Sequence, residues 1–110
     1  MAMNQIVPVE AVMRALADPT RRAIFEQVAR SGEIQVKDLT GQRSVTQGAI
    51  SQHLKMLKEA GLVYGRADGR NVFYRARPEG LTPLTDWISH YSTFWRERFS
   101  DLRDLLEEME

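Results

Sequence analysis

A helix pattern that ends at Gly61 and runs directly into a hairpin pattern constrains this chain more than any other feature. The segment Gln47 to Ala60 has the apolar spacing of an amphipathic helix, and Gly61 favours its end. Residues 62–77 then predict a strand, a turn at Asp68-Gly69 and a second strand, because Gly69 tolerates positive φ. The chain is therefore expected to be mainly α with a small β-hairpin.

Two helix patterns come before this unit. The first is expected from Glu10 to Ala17, and the second from Pro19 to about Arg30. Asp18 can accept a hydrogen bond from the first free amides of the second helix, and proline at a first helical position loses no hydrogen bond.

A short helix is also expected from Val36 to Gln42, and Thr46 is expected to cap the helix that follows it. Two helices joined by so short a segment predict a helix-turn-helix over about residues 36–60. With the hairpin and a long final helix, the chain is expected to have about five helices and a two-stranded sheet in one domain, residues 1–110.

The helix from Gln47 to Ala60 has one apolar and one polar face. Ile50, Leu54 and Leu57 fall on one side at 100° per residue. The opposite side has uncharged hydrogen-bonding residues and a glycine first and lysines later: Gln47, Gly48, Ser51, Gln52, Lys55 and Lys58. That order suits a recognition helix, whose first turns read base edges while later cations meet phosphate. An ordinary solvated amphipathic helix is the alternative.

The hairpin over about residues 62–76 is basic. Arg66 and Arg70 are expected at its tip, and Arg75 and Arg77 follow. A basic β-ribbon directly after a helix-turn-helix is typical of the wing of a winged helix, placed to meet a minor groove or flanking phosphates. A plain hairpin with solubilising arginines is the alternative.

Charge is distributed unevenly along a chain of zero net charge. Residues 14–77 contain 12 Lys/Arg and 6 Asp/Glu, whereas residues 78–110 contain 3 Lys/Arg and 8 Asp/Glu. This segregation favours a basic body, residues 14–77, that binds a polyanion, with the acidic residues confined to the C-terminal segment. The alternative is that these are ordinary solvated surface charges whose separation has no function.

The last helix is predicted to begin with Thr82 and Pro83 as its cap and first residue and to run over about residues 83–108. Its apolar residues form one long stripe: Leu84, Ile88, Tyr91, Trp95, Phe99, Leu102, Leu106 and Met109, widened by Trp87, Phe94 and Leu105. A second copy of the chain is expected to bury this stripe, so these residues are predicted to form the interface of a homodimer. Three alternatives remain: the helix folds back onto the chain's own core, the stripe forms a satellite cluster within the chain, or a ligand pocket lies between Trp87, Tyr91 and Trp95.

Several classes of protein are excluded or disfavoured by what the sequence lacks. The chain has no cysteine, which removes disulfides, thiolate metal sites and cysteine nucleophiles. No apolar run approaches a membrane span, and the start lacks a secretory signal, so a cytoplasmic protein without membrane contact is expected. Two distant histidines and no glycine-rich phosphate loop leave nothing to carry enzyme chemistry.

Several motifs together resemble the ArsR/SmtB-type winged helix-turn-helix repressors of bacteria. They lie at residues 17–22, 32–39, 50–57 and 60–63, which read ADPTRR, GEIQVKDL, ISQHLKML and AGLV, in unbroken order within residues 10–77. The resemblance implies a homodimer that binds a double-stranded operator and represses transcription until an inducer, here unknown, releases it. By position it assigns DNA contacts to the start of the recognition helix and the wing: Thr46, Gln47, Gly48, Ser51, Gln52, Lys55, Arg66 and Arg70.

The chain departs from the metal sensors of that family. Where those sensors carry thiolate ligands, this chain has Gln35 and Lys37. The family's second metal site uses paired carboxylates and histidines on the last helix, and here His90 stands with only Asp86 one turn earlier and Glu97 beyond. No metal and no cofactor are therefore expected, as in the metal-independent branch of the family. The remaining alternative is a winged-helix module that binds protein and no longer binds DNA.

Overall fold

The computed structural model describes residues 7–40 and 45–109, and this part of the chain has five α-helices and three β-strands. The mainly α fold with a hairpin is confirmed. The predicted last residues of the short third helix, Gly41 and Gln42, lie outside the described residues. The elements are α1 (Val9–Ala17), α2 (Pro19–Ser31), β1 (Ile34–Gln35), α3 (Val36–Thr40), α4 (Gln47–Glu59), β2 (Val63–Asp68), β3 (Asn71–Ala76) and α5 (Thr82–Glu108).

The α1–α2 junction is held by hydrogen bonds to backbone atoms. As predicted, the Asp18 side chain caps α2 by accepting from the Arg21 backbone N–H at 2.8 Å. The Arg21 side chain is buried, and it donates to the carbonyl oxygens of Ala15 at 2.6 Å and Arg14 at 3.0 Å. Both carbonyls lie in the last turn of α1, so one arginine side chain bonds two acceptors and fixes α1 against α2.

The end of α4 leads straight into the hairpin. Gly61, at φ 77°, donates to the Lys58 carbonyl at 3.0 Å, and Leu62 donates to the Leu57 carbonyl at 2.9 Å. This pair of bonds is a Schellman motif, which a glycine with positive φ permits. Leu62 and Leu57 are both fully buried, so the recognition helix and the first strand of the hairpin share one anchor in the core.

The sheet has one strand more than the sequence predicted. The order is β1-β3-β2, all antiparallel, and β1 pairs Ile34 with Tyr74 and Gln35 with Phe73. A two-residue strand is too short to show the alternating pattern by which strands are predicted. Its effect is to attach the α2–α3 connection to β3, which becomes the central strand of the sheet.

The hairpin turn is shifted by one residue from the predicted Asp68-Gly69 pair. Asp68 and Asn71 are opposite each other in the ladder, so Gly69 and Arg70 are the two central loop residues. Gly69 has φ 65°, whereas φ of Arg70 is not positive. Glycine at the first central position is what a type II′ loop requires.

The core lies entirely within the body of the fold, residues 9–80. Its buried apolar side chains come from α1, α2, β1, α3, α4, β2 and the links beside α4: Val12, Ala15, Ile24, Val28, Ile34, Leu39, Ile50, Leu54, Leu57, Ala60, Leu62 and Val63. From α5, only Leu84 packs against this cluster, and it is partly buried.

The start of α5 differs from the prediction. Thr82 is already helical, and the cap is Leu81, which has helical backbone angles and makes no side-chain cap bond. The preceding turn, in which the Thr82 N–H donates to the Glu79 carbonyl at 3.1 Å, brings the chain into α5 in helical geometry, so a capping side chain has no role there. The 27 residues of α5 span about 40 Å, which extends the molecule well past its core.

Candidate nucleic-acid interface

The first turn of α4 presents polar side chains to solvent. The Thr46 Oγ1 accepts from the Ala49 backbone N–H at 3.0 Å, as the predicted cap requires, and its hydroxyl hydrogen is still available to donate. The core side of the helix is fully buried through Ile50, Leu54 and Leu57. The residues predicted to contact DNA are all exposed on this helix: Thr46, Gln47, Gly48, Ser51, Gln52 and Lys55.

Gly48 is not required by the packing of the fold. A Cβ atom placed there meets nothing nearer than the Thr46 Oγ1 at 3.9 Å, which is ordinary contact, and its φ is not positive. Glycine also costs helix stability relative to alanine. The packing of the fold therefore does not explain why glycine stands on the exposed first turn.

The two wing arginines occupy different environments. Arg70 is exposed in the hairpin loop, where it was expected. Arg66 was also expected at the tip, but it lies within β2, directly opposite Phe73. The register moves Arg66 back along the strand because the loop consists of Gly69 and Arg70 alone.

Arg66 is held on two sides. Its Nε donates to the Glu33 Oε1 at 2.8 Å, and its Cζ lies 5.0 Å from the centroid of the Phe73 ring. The hydrogen bond from Arg66 lowers the pKa of the Glu33 carboxyl below its ordinary value and raises the pKa of Arg66. Sequence reasoning missed both Glu33 and Phe73 as site residues. The hairpin register could have indicated Phe73, whereas Glu33 is brought to the wing by the unpredicted strand β1.

The predicted dimerisation face on α5 is open to solvent. Every α5 side chain is partly or fully exposed, including Trp95 at 54% and Phe99 at 60%. The alternative in which this helix folds back onto its own core is therefore not what the structure shows. The half-buried Leu84 begins the stripe, and its exposed side chains are Ile88, Tyr91, Trp95, Phe99, Leu102, Leu106 and Met109.

An open cavity of about 720 Å³ lies between the end of α4 and the start of α5, lined by side chains of both charges such as Lys58, Arg77 and Asp86. Trp87, Tyr91 and Trp95 do not line it. Across the ranges 7–40 and 45–109, no three His, Asp or Glu side chains come close enough to hold a metal ion. Over the same ranges, no helix combines the length and apolar character that a bilayer crossing demands.

A helix-turn-helix unit whose second helix exposes amide and hydroxyl groups, followed by a basic hairpin, defines the class of winged-helix DNA-binding proteins. The family model for the bacterial regulatory proteins of the arsR family matches residues 18–64. The HTH-type transcriptional regulator Rv2034 of Mycobacterium tuberculosis (strain H37Rv) is 38% identical over 94 residues, covering 86% of this chain and 84% of that protein.

The arsenic resistance transcriptional regulator ArsR1 of Pseudomonas putida (strain KT2440) is 40% identical over 86 residues, and the match spans 78% of this chain but 64% of that relative. Among solved structures, the ArsR-like transcriptional regulator from Rhodococcus sp. RHA1 is similar with a TM-score of 0.69 and 27% identity, covering 88% of this chain and 91% of that chain. The chain belongs to the ArsR family, which comprises DNA-binding transcriptional regulators rather than enzymes, and the predicted family is confirmed.

Proposed function

We propose that this chain is a homodimeric transcriptional repressor that reads an inverted-repeat operator with α4 and the wing and is not regulated by metal. The observation that carries the proposal is the exposed first turn of α4. It presents uncharged hydrogen-bonding groups on a helix whose other side is anchored in the core. Rigid support of this kind suits side chains that must meet base edges at fixed positions.

Two kinds of DNA contact are assigned to different residues. Gln47, Ser51 and Gln52 read base edges in the major groove, since their side chains can donate and accept hydrogen bonds. Lys55 and Arg70 meet phosphates, which contributes affinity without sequence preference. Gly48 lets the helix backbone come close to the DNA.

The dimer is assigned to α5. Its exposed apolar stripe is longer than a monomer's core can cover, and a two-fold pairing buries it on both copies. The acidic residues beside the stripe, including Asp101 and Asp104, keep this helix away from phosphate. Such a dimer places its two recognition helices in successive major grooves, about 34 Å apart, so the operator is an inverted repeat with centres about one helical turn apart.

Metal-independence rests on the donor set of this chain. There is no cysteine, and the exposed Lys37 puts a cation in the segment that supplies thiolate ligands in the family's metal sensors. The arsenic resistance in one relative's name is therefore not carried over. Adding zinc, cadmium or arsenite at one equivalent per protomer leaves the protein on its DNA; release by any of the three contradicts this part of the proposal.

Because its ligand is the cell's own DNA, the protein acts in the cytoplasm.

The experiment that tests the proposal begins with selection. The wild-type protein is used to enrich duplexes from a random-sequence pool, and the enriched duplex and a scrambled duplex are then titrated over a range of salt. Gln47→Ala is expected to cost about 1–3 kcal/mol on the enriched duplex and little on the scrambled one. Arg70→Ala is expected to weaken both and to reduce the salt slope by about one unit.

The matched control is Thr93→Ala, an exposed change on the side of α5 opposite the stripe, which leaves both titrations unchanged. Equal losses on the two duplexes for Gln47→Ala reject base reading. If no sequence is enriched and the protein does not bind duplex DNA, the protein-interaction module becomes the better function.

A further inference from the structure

The pair Arg66–Glu33 joins the wing to a segment far away in the sequence. Arg66 lies in β2, and Glu33 immediately precedes β1, which pairs with Phe73 and Tyr74 of β3. A second tie runs nearby, since the Arg75 Nε donates to the Gly32 carbonyl at 3.4 Å. Strand pairing therefore fixes where the Glu33 carboxylate stands relative to the wing.

The contacts of Arg66 leave one edge of its guanidinium group unused. Nε is bound to Glu33, and one face of the group lies over the Phe73 ring. Among the described residues, the other charged neighbour is Asp68, whose Oδ2 is 3.9 Å from Nη1, longer than a hydrogen bond. The side chain is 47% exposed, and neither Nη1 nor Nη2 makes a hydrogen bond to another described residue.

We propose that Glu33 is a positioning residue for DNA binding: with Phe73 it holds the Arg66 guanidinium in one orientation so that its two Nη groups meet a DNA phosphate. The proposal rests on the proposed DNA-binding function and deepens it. Two parallel N–H donors match the oxygens of a phosphate, and a side chain already held in place loses less conformational entropy on binding. The negative charge of Glu33 meanwhile offsets that of Arg66, which lowers attraction to DNA of any sequence.

This arrangement separates Arg66 from Arg70. Arg70 has no charged partner among the described residues and contributes to affinity as a mobile cation. Arg66 contributes through geometry. The distinction predicts that the two glutamate variants Glu33→Ala and Glu33→Gln behave differently, because glutamine still offers an oxygen that accepts from Arg66 Nε, whereas alanine does not.

The test titrates the duplex enriched by the wild-type protein, and a scrambled duplex, over a range of salt. Glu33→Ala is expected to weaken binding to the enriched duplex about three- to tenfold, because the Arg66 guanidinium is no longer held and must be ordered when it binds. Glu33→Gln is expected to restore that binding to within about twofold. Both variants uncover the positive charge of Arg66, so both are expected to tighten binding to the scrambled duplex and to steepen the salt slope by about one unit.

Glu79 provides the matched control. It pairs with Arg77 at 3.4 Å, and Arg77 lies 5.3 Å from the Tyr64 ring, so the same chemistry occurs at the base of the wing. Glu79→Ala and Glu79→Gln are expected to leave both titrations unchanged. If the two Glu33 variants behave alike on the enriched duplex, whether both tighten, both weaken or neither changes, the positioning role is wrong. If the wild-type protein enriches no sequence at all, the proposed function fails instead.

Discussion

The body of the fold and α5 differ in where their apolar side chains lie. The buried apolar side chains of the described residues all fall between Val12 and Val63, whereas α5 exposes aromatic and aliphatic residues along its length. A helix stabilised by packing needs a covered face, since helical propensity alone is marginal in water. The comparison shows that the body of the fold is stabilised within one chain, whereas the chain's own core leaves the apolar face of α5 uncovered.

The largest effect is expected for a core leucine compared with a stripe leucine. Leu57→Ala removes a fully buried side chain and is expected to lower the free energy of unfolding by about 2–5 kcal/mol. Leu106 is 54% exposed, so Leu106→Ala is expected to lower the free energy of unfolding by about 0.5 kcal/mol or less when the protein is diluted until it is monomeric. Denaturant titrations at several protein concentrations measure both changes. If the two variants lose the same free energy of unfolding at high dilution, the contrast between the core and the stripe is wrong.

The double change Leu102→Asp and Leu106→Asp tests the need for a partner. Charges placed in an apolar contact are expected to weaken dimerisation by about 3 kcal/mol or more, because each carboxylate loses its water. Sedimentation at micromolar concentration should show a monomer, and emission from Trp87 and Trp95 should shift as α5 loses its cover. Thr93→Asp, on the opposite side of α5, should remain dimeric. A wild-type monomer, or a double variant that is still a dimer, contradicts the assignment.

Gly48→Ala separates folding from DNA reading within the body. Because a Cβ there has room, the change is expected to raise the free energy of unfolding by about 0.5 kcal/mol. Binding to the enriched duplex is expected to weaken about tenfold if the backbone approaches a base or phosphate closely. Thermal unfolding and DNA titration of one preparation measure both changes. A higher free energy of unfolding with unchanged binding to the enriched duplex contradicts a close approach of the backbone to DNA.

The smallest effect concerns the acid dependence of the wing. The pKa of Glu33 is lowered from its ordinary value of 4.5 by Arg66, so the pair favours the folded state above that value and the benefit is lost as the pH falls through the lowered pKa. The pair is exposed, and the gain in stability is small. An NMR titration of the Glu33 carboxyl in wild type and in Arg66→Ala measures it. Identical midpoints in the two proteins contradict the contact.

Much of this molecule was predictable from local patterns. The Asp18 and Thr46 caps, the glycine stop at Gly61 and the exposed face of α4 follow from side-chain chemistry that acts within a few residues. The same reasoning failed where the outcome depended on neighbours in space. It placed Arg66 at the tip, because the one-residue shift of the turn depends on how β2 and β3 pair, and it assigned a cap to Thr82, where the preceding turn is already helical.

The sequence by itself determined the order of the elements, the two faces of α4 and the apolar stripe of α5, because periodicity and capping are properties of short segments. Only the tertiary structure decided that β1 joins the sheet, that Glu33 reaches Arg66 across 33 positions, and that the stripe of α5 is left uncovered by the chain's own core. These outcomes depend on which segments pack together. A two-residue strand and a lone glutamate have no local signal, and the cover of a stripe depends on the shape of the whole body.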